Sequence, residues 1–195
     1  MGLNISTRQF EIINAAGKIL THSGVGGLTI KNLAKEMQFS ESAIYRHFSS
    51  KEDIIIEMLN FLADDMDNRL ASLPNQDNPE QKLKFLFKEQ FKFFSANPHF
   101  VVAVFSDGLM ESSKKINNVI LKIMTVKMKY LLPIIKDGQQ KNIFTKTIAA
   151  EELMHIIAGS FRLQMFKWRL HNFEFDLNKV GNKMINSVLT IIRYH

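Results

Sequence analysis

The chain of 195 residues contains no cysteine, and only four prolines and one tryptophan. The absence of cysteine excludes disulfides, thiolate metal ligands and thiol nucleophiles, and it fits a reducing compartment. No uncharged apolar stretch reaches the roughly 18 residues that a membrane helix needs. The N-terminal segment also lacks the cationic region and unbroken apolar run of a signal peptide. We therefore expect a soluble, cytoplasmic protein.

The sequence also has few features that would support catalysis or metal binding. Its six histidines are not grouped with carboxylates at metal-ligand spacing, and His155 lies in an apolar helical segment, where a core or interface position is expected. No nucleophile–base constellation and no glycine-rich phosphate loop are visible. We therefore predict no metal, no cofactor and no enzymatic activity.

The charge that is present is basic and unevenly distributed. The formal net charge is +6, in a chain that is 46% hydrophobic and 23% charged. Residues 1–51 hold six Lys/Arg against three Asp/Glu, an excess that suits phosphate binding. A second excess lies in residues 112–146, where eight lysines stand against one aspartate. We interpret it as a solvated helix face, with a ligand or nucleic-acid site as the alternative.

Helical periodicity appears along nearly the whole chain, whereas strand alternation is almost absent. The predicted fold class is therefore all-α, with about nine helices. Helix starts are indicated by capping residues, some of them followed by proline, at Ser6, Thr29, Ser40, 49–52, Asn78, Asn97, Thr147 and Asp176. Breaks are indicated at 23–27, 74–79 and 107–108, and Pro133 is expected to kink a long helix over about 112–140.

Residues 29–48 have the spacing of a helix-turn-helix. Leu33 and Met37 are one turn apart and face inward, and Phe39 and Ile44 are placed to pack the second helix of the motif against the preceding helices. Spacing alone leaves open a helical hairpin in an unrelated bundle. The motif therefore indicates DNA binding only together with a more specific feature.

That feature is the run Ile44-Tyr-Arg-His-Phe-Ser-Ser-Lys-Glu52, which resembles the signature of the tetracycline-repressor (TetR) family. The resemblance covers residues 8 to about 60. It implies an N-terminal three-helix DNA-binding domain over 1–51, a connecting fourth helix over 50–72, and a larger helical bundle for ligand binding and dimerisation over 52–195. It also implies a double-stranded DNA operator as partner.

The resemblance assigns roles within the motif that suit the chemistry of the side chains. Tyr45, His47, Lys51 and Thr29 are expected at phosphates, the last two at helix N-termini that favour anions. Bases are read elsewhere in the motif, for example where lysine donates to guanine and glutamate accepts from cytosine. The residues expected at DNA are Thr29, Lys31, Ser40, Glu41, Ser42, Ala43, Tyr45, Arg46, His47 and Lys51.

Two positions depart from the usual pattern of the family. Gln38 stands where many members have glycine, and a left-handed conformation there costs a non-glycine residue about 1 kcal/mol. Glu41 stands where a basic or polar residue is common, so it lowers non-specific attraction to DNA. Glu41 therefore puts the individual base contacts in doubt.

The segment after the motif is rich in phenylalanine and methionine, which pack cores but also line adaptable apolar pockets. The resemblance implies a pocket for a small apolar or amphipathic effector in this region. The candidate lining residues are Phe91, Phe94, Phe105, Met110, Met124, Met128, Phe161 and Met165.

The last two predicted helices carry apolar stripes, and in the family such helices form a four-helix bundle with a second copy. A homodimer would present two recognition helices to two half-sites of a palindrome. The residues expected at this interface are Leu153, Ile157, Phe161, Met184, Val188, Leu189 and Ile192. The sequence thus predicts a repressor released from its operator by a ligand. The alternative is a DNA-binding protein of the same fold that is controlled by a protein partner.

Overall fold

The computed structural model describes residues 5–72, 74, 77–105, 109 and 113–194. In this part of the chain there are nine α-helices and no strand, only an isolated bridge between Phe144 and Arg193. The helices are α1 (Thr7–Gly27), α2 (Ile30–Met37), α3 (Glu41–Tyr45), α4 (Lys51–Ala71), α5 (Pro79–Ala96), α6 (His99–Val104), α7 (Lys114–Gln140), α8 (Ala150–Leu170) and α9 (Leu177–Ile192). The predicted all-α class is confirmed. No helix in the described ranges is both long and apolar enough to cross a bilayer.

Most of the predicted helix starts are confirmed by their capping hydrogen bonds. Ser6 and Gln9 form a reciprocal capping box at the start of α1. The other side chains that cap as predicted accept from a backbone N–H in the first turn, and they are Thr29, Ser40, Asn78 and Asp176. Each cap satisfies donors that the helix itself leaves unpaired.

Two predicted starts are wrong. Asn97 closes α5 instead of opening α6, because its backbone N–H donates to Phe94 O and its side-chain amide donates to Phe93 O at 2.9 Å. Helix α6 follows Pro98 without a side-chain cap. Thr147 bonds through its hydroxyl to Thr145, and α8 starts only at Ala150. The predicted break at 107–108 lies outside the described residues.

Helix α1 passes through one predicted break, and α7 contains the predicted proline. Gly24 lies inside α1 with φ 63° and ψ −168°, a backbone conformation that is essentially restricted to glycine, and the helix ends at Gly27. Pro133 lies inside α7, which continues to Gln140. The glycine-rich segment therefore distorts α1 without ending it at its first glycine.

The chain divides into two compact units. The first comprises the chain up to Asp65 and Pro98–Ile123, and the second comprises Met66–Asn97 and the chain from Met124 onward. Helices α4 and α7 contribute residues to both. The division differs from the predicted boundary after residue 51. One reason is that the start of α7 packs with the N-terminal helices, where the Ser113 hydroxyl donates to the Glu52 carboxylate.

Aromatic side chains pack together in both units, and those of the first unit join α1, α4 and α6. In the first, the Phe61 ring lies 5.5 Å from that of Phe10 and 6.1 Å from that of Phe100. His99 packs on Gly17, where an added Cβ would lie 2.9 Å from the imidazole, and burial lowers the pKa of His99 to about 4. At neutral pH the imidazole of His99 is therefore uncharged and packs between α1 and α6.

Candidate nucleic-acid interface

Helices α2 and α3 are held by a small buried cluster. Leu33 on α2 and Ile44 on α3 have no accessible area, and Leu28 and Phe48 on either side of the motif are also buried. Phe39 in the turn is only half-buried, and the Arg8 guanidinium lies 5.1 Å from its ring centroid. Burial of this cluster fixes the two short helices relative to each other, because neither has enough internal hydrogen bonds to be stable alone.

The turn between α2 and α3 has the left-handed residue predicted from the sequence. Gln38 has φ 56° and ψ 39°. Its backbone N–H donates to Lys35 O at 3.2 Å, and the N–H of Phe39 donates to Ala34 O at 2.8 Å. These bonds satisfy carbonyls at the end of α2 and offset the strain of about 1 kcal/mol that a non-glycine residue has here.

The residues expected at DNA are mostly exposed around this cluster. Only Ala43 and Lys51 are half-buried. The exposed ones are Thr29, Lys31, Ser40, Glu41, Ser42, Tyr45, Arg46 and His47. Two of them, Thr29 and Ser40, also cap α2 and α3, and His47 follows the end of α3. The motif therefore presents one continuous stretch of polar side chains on a fixed backbone.

The charges on this surface are suited to phosphate. Lys31, Lys35 and Arg46 are exposed and form no ion pair within the described residues. By contrast, Lys18 of α1 lies 4.0 Å from Glu36. Cations without an internal partner keep their full attraction for the DNA backbone.

Lys51 has a structural role that the sequence did not indicate. Its Nζ donates to Val25 O at 2.7 Å, and partial burial lowers the pKa of its ammonium. This bond ties the first residue of α4 to the last turn of α1. An ammonium has three donors, so two N–H groups remain for a phosphate. Beside it, the Ser50 hydroxyl accepts from Asp53 N at 3.1 Å.

Two family profiles match almost the whole chain. Residues 12–58 match the family described as "Bacterial regulatory proteins, tetR family", and residues 56–191 match "YsiA-like protein, C-terminal region". The chain belongs to the TetR family. It is therefore a helix-turn-helix transcriptional regulator, as the signature at 44–52 indicated. Regulators of this family bind DNA operators and dimerise.

Individual TetR relatives are similar over nearly their full length. The Fatty acid metabolism regulator protein of Bacillus subtilis (strain 168) is 20% identical over 184 residues, 94% of each chain. Nucleoid occlusion factor SlmA of Aliivibrio fischeri (strain MJ11) is 26% identical over 160 residues, 79% of this chain and 82% of the relative. FadR from Bacillus subtilis in complex with stearoyl-CoA superposes with a TM-score of 0.74 at 17% identity, covering 94% of this chain and 99% of FadR. These likenesses establish a shared fold.

The expected ligand residues of this TetR protein separate into different environments. Phe91, Phe94 and Phe161 meet in the second unit, with ring centroids 5.4 Å apart for Phe91–Phe161 and 6.1 Å for Phe94–Phe161. Met165 is buried in the same unit. Phe105 belongs to the first unit, Met124 is 47% exposed, Met128 is half-buried, and Met110 lies outside the described residues.

The structure places most of the residues expected at the dimer interface inside a single chain. Six of the seven pack inside a single chain, because α8 and α9 turn this stripe toward their own unit: Leu153, Ile157, Phe161, Val188, Leu189 and Ile192 are buried. Met184 alone is half-buried. The apolar residues that α8 exposes lie on a different face: Ile156, Leu163, Phe166 and Leu170. Hydrophobic periodicity located an apolar stripe without distinguishing core from interface.

Several lysines of the lysine-rich segment lie on a solvated face and pair with carboxylates, whereas Lys127 has different surroundings. Lys122, Lys129 and Lys136 lie within 2.8 Å of Asp64, Asp67 and Glu151 respectively. Lys127 pairs with no carboxylate in the described part of the chain, and its Nζ lies 3.3 Å from the ring centroid of Phe161. The described residues hold no group of three His, Asp or Glu that could bind a metal.

Sequence reasoning missed Lys127, and with it Gln90 and Gln164, which are polar residues buried in the second unit. A signal was available. The buried positions Ile123, Leu131 and Ile134 of α7 are spaced so that residue 127 falls in the same stripe. A lysine in a core register differs from the solvated lysines around it, although all of them contribute equally to the net charge.

Proposed function

We propose that this TetR protein is a homodimeric repressor that binds a palindromic operator and is released by a ligand with a long apolar chain. The observation that carries the proposal is the surface of α2 and α3. There, exposed polar residues and cations without an internal partner surround the buried residues Leu33 and Ile44. Such a surface matches the phosphate and base edges of a major groove.

In this proposal α3 enters the major groove. Lys31 donates to guanine and Glu41 accepts from cytosine, while Tyr45, His47 and the N-terminus of α4 position the protein on phosphates. The proposal is supported by the exposure of these side chains. A bound operator would exclude other proteins from the same DNA, which is the simplest route to repression.

The dimer is proposed to form through the outer face of α8. Ile156, Leu163 and Leu170 repeat every seven residues, with Gly159 and Phe166 at the intervening positions, and all five are exposed. This is the spacing of a coiled-coil seam, in which each apolar residue packs between residues of the facing helix. Water would otherwise contact the whole stripe.

The effector is proposed to have a long apolar chain for two reasons. The interior of the second unit contains a cluster of aromatic rings, and apolar surroundings of this kind suit an alkyl chain. Two of the similar proteins are a fatty acid metabolism regulator and a FadR bound to stearoyl-CoA. The tight ring packing around Phe161 also favours a second candidate, in which the core is filled and a protein partner provides control.

The test begins with selection of the operator from random duplex DNA. Tyr45→Ala and Lys31→Ala should each weaken operator binding about fivefold or more, because each removes a contact expected to be worth about 1–3 kcal/mol. Lys92→Ala, an exposed lysine of α5, is the matched control. If both Tyr45→Ala and Lys31→Ala bind the operator like the wild type, the assignment of α2 and α3 as the DNA-binding surface is wrong. If the protein binds the operator but acyl compounds do not release it from the DNA, control by a protein partner is favoured.

A further inference from the structure

We propose that Lys127, Gln90 and Gln164 form the head-group end of the effector site, and that the effector is a long-chain carboxylic acid in its anionic form. The inference rests on the proposed function, since it requires that the second unit bind an apolar chain. The three residues come from α7, α5 and α8 respectively, and all belong to the second unit.

Lys127 differs from its neighbours on α7 in having an aromatic environment instead of an ionic one. Its Nζ lies 3.3 Å from the ring centroid of Phe161 and 5.4 Å from that of Phe87. Within the described residues it has neither an ion pair nor a hydrogen bond. An aromatic face attracts a cation but accepts none of its three N–H donors in the way that oxygen does. The ammonium therefore retains its capacity to bind an anion.

The surroundings of Lys127 are dense even though its side chain keeps some accessible area. Burial lowers the pKa of its ammonium from 10.5 to about 7. The charged form is thus disfavoured near neutral pH unless an anion joins it. A bound carboxylate would restore the charged form and form a charge-assisted hydrogen bond with it.

Two glutamines supply further unused donors in the same unit. Gln90 is 1% exposed, and neither its Nε2 nor its Oε1 has a partner. The Nε2 of Gln164 is likewise buried without a partner. Gln90 follows Phe87 by one helical turn, and Gln164 follows Phe161 by one turn. Because the Phe87 and Phe161 rings are 5.5 Å apart, both glutamines lie one helical turn from the pair of rings that Lys127 contacts.

The chemistry of this group fits a carboxylate. Buried amide atoms are nearly always hydrogen-bonded in proteins, so two glutamines with unpaired atoms, each one turn from a ring that the unpaired ammonium contacts, indicate a ligand with several acceptor sites. A carboxylate has two oxygens that accept from the cation and both amides. One lysine neutralises one carboxylate but not the several phosphate charges of a coenzyme A group. The aromatic rings then contact the alkyl chain.

The experiment compares dodecanoic acid, dodecan-1-ol and dodecanoyl-CoA, titrated into the purified full chain. Binding is followed by the fluorescence of Trp168, the single tryptophan, which is buried in the second unit. The wild type should bind the acid at least about tenfold more tightly than the alcohol, as expected for a hydrogen bond to a charged group. Lys127→Met should abolish this preference, so that the acid and the alcohol bind with similar affinity. Gln90→Leu should reduce it in part.

Lys129→Met is the matched control, since it removes an exposed lysine two positions away and should preserve the preference. Wild-type affinity of Lys127→Met for the acid would overturn the inference. Binding of dodecanoyl-CoA alone, unaffected by Lys127→Met, would also overturn it but would leave the proposed function intact. If none of the three compounds binds while the operator is still bound, both the inference and the proposed acyl effector are wrong.

Discussion

Replacing Lys127 with methionine should stabilise the ligand-free protein, which is an unusual effect for a core substitution. Methionine has a similar length and no charge, so it fits the same volume among the aromatic rings. The variant removes an ammonium that has no carboxylate partner within the described residues. Replacing buried charges by apolar groups of similar volume is often neutral or stabilising, and the partly buried charge of Lys127 has no carboxylate to offset its desolvation.

The magnitude follows from the pKa of Lys127, which burial lowers from 10.5 to about 7. Since each tenfold change in the ionisation equilibrium is worth about 1.4 kcal/mol, holding the charged form in the fold costs at most about 5 kcal/mol. The attraction between the ammonium and the Phe161 ring offsets about 0.5–2 kcal/mol of this cost. We therefore expect the free energy of unfolding at pH 7 to rise by about 3–4 kcal/mol.

The gain in the stability of Lys127→Met over the wild type should decrease as the pH rises. Between pH 7 and pH 10.5 the folded wild type binds fewer protons at this lysine than the unfolded chain does. The stability of the wild type therefore rises with pH across this window, and the full penalty is present below it. At pH 9.5 the stability advantage of the methionine variant should fall to about 1–2 kcal/mol.

Urea unfolding at pH 7 and pH 9.5 measures both values, at one fixed protein concentration because dimerisation adds to stability. Lys129→Met is the control, and it should give neither a gain nor a comparable dependence on pH, since that lysine is exposed and paired with Asp67. A variant at Lys127 that is no more stable than the wild type at pH 7 would show that the ammonium is already compensated. A gain independent of pH would point to packing alone.

Three further predictions concern other parts of the molecule. Glu41→Gln should change the preferred base at one symmetric pair of operator positions in a binding-site selection; a uniform gain in affinity would show that Glu41 only repels phosphate. Gly181→Ala should lower the free energy of unfolding by about 1–3 kcal/mol, because an added Cβ would lie 2.6 Å from the Phe91 ring; a rise in denaturant midpoint would contradict this contact. Leu163→Glu should give monomers in sedimentation and weaken operator binding, since Leu163 is 66% exposed on the proposed seam; a stable dimer would place the interface elsewhere.

The local features of this protein were determined by the sequence. Caps at Thr29 and Ser40, and the left-handed turn at Gln38, depend on side chains that bond to backbone a few residues away. Such interactions can be predicted from spacing. The family signature at 44–52 added the function, because its residues are specific as well as periodic.

The identity of the outer and inner faces was decided only by tertiary structure. Ile157 and Leu163 both lie in apolar stripes of α8, yet one is fully buried and the other is exposed. Hydrophobic periodicity reports that a face avoids water, but not whether the same chain or a second copy covers it. The surroundings of the charged Lys127 were likewise decided by tertiary packing. Its sequence context is a run of lysines on a helix, and only the rings of α5 and α8 that pack against it distinguish it from the solvated lysines, because such contacts depend on residues distant in sequence.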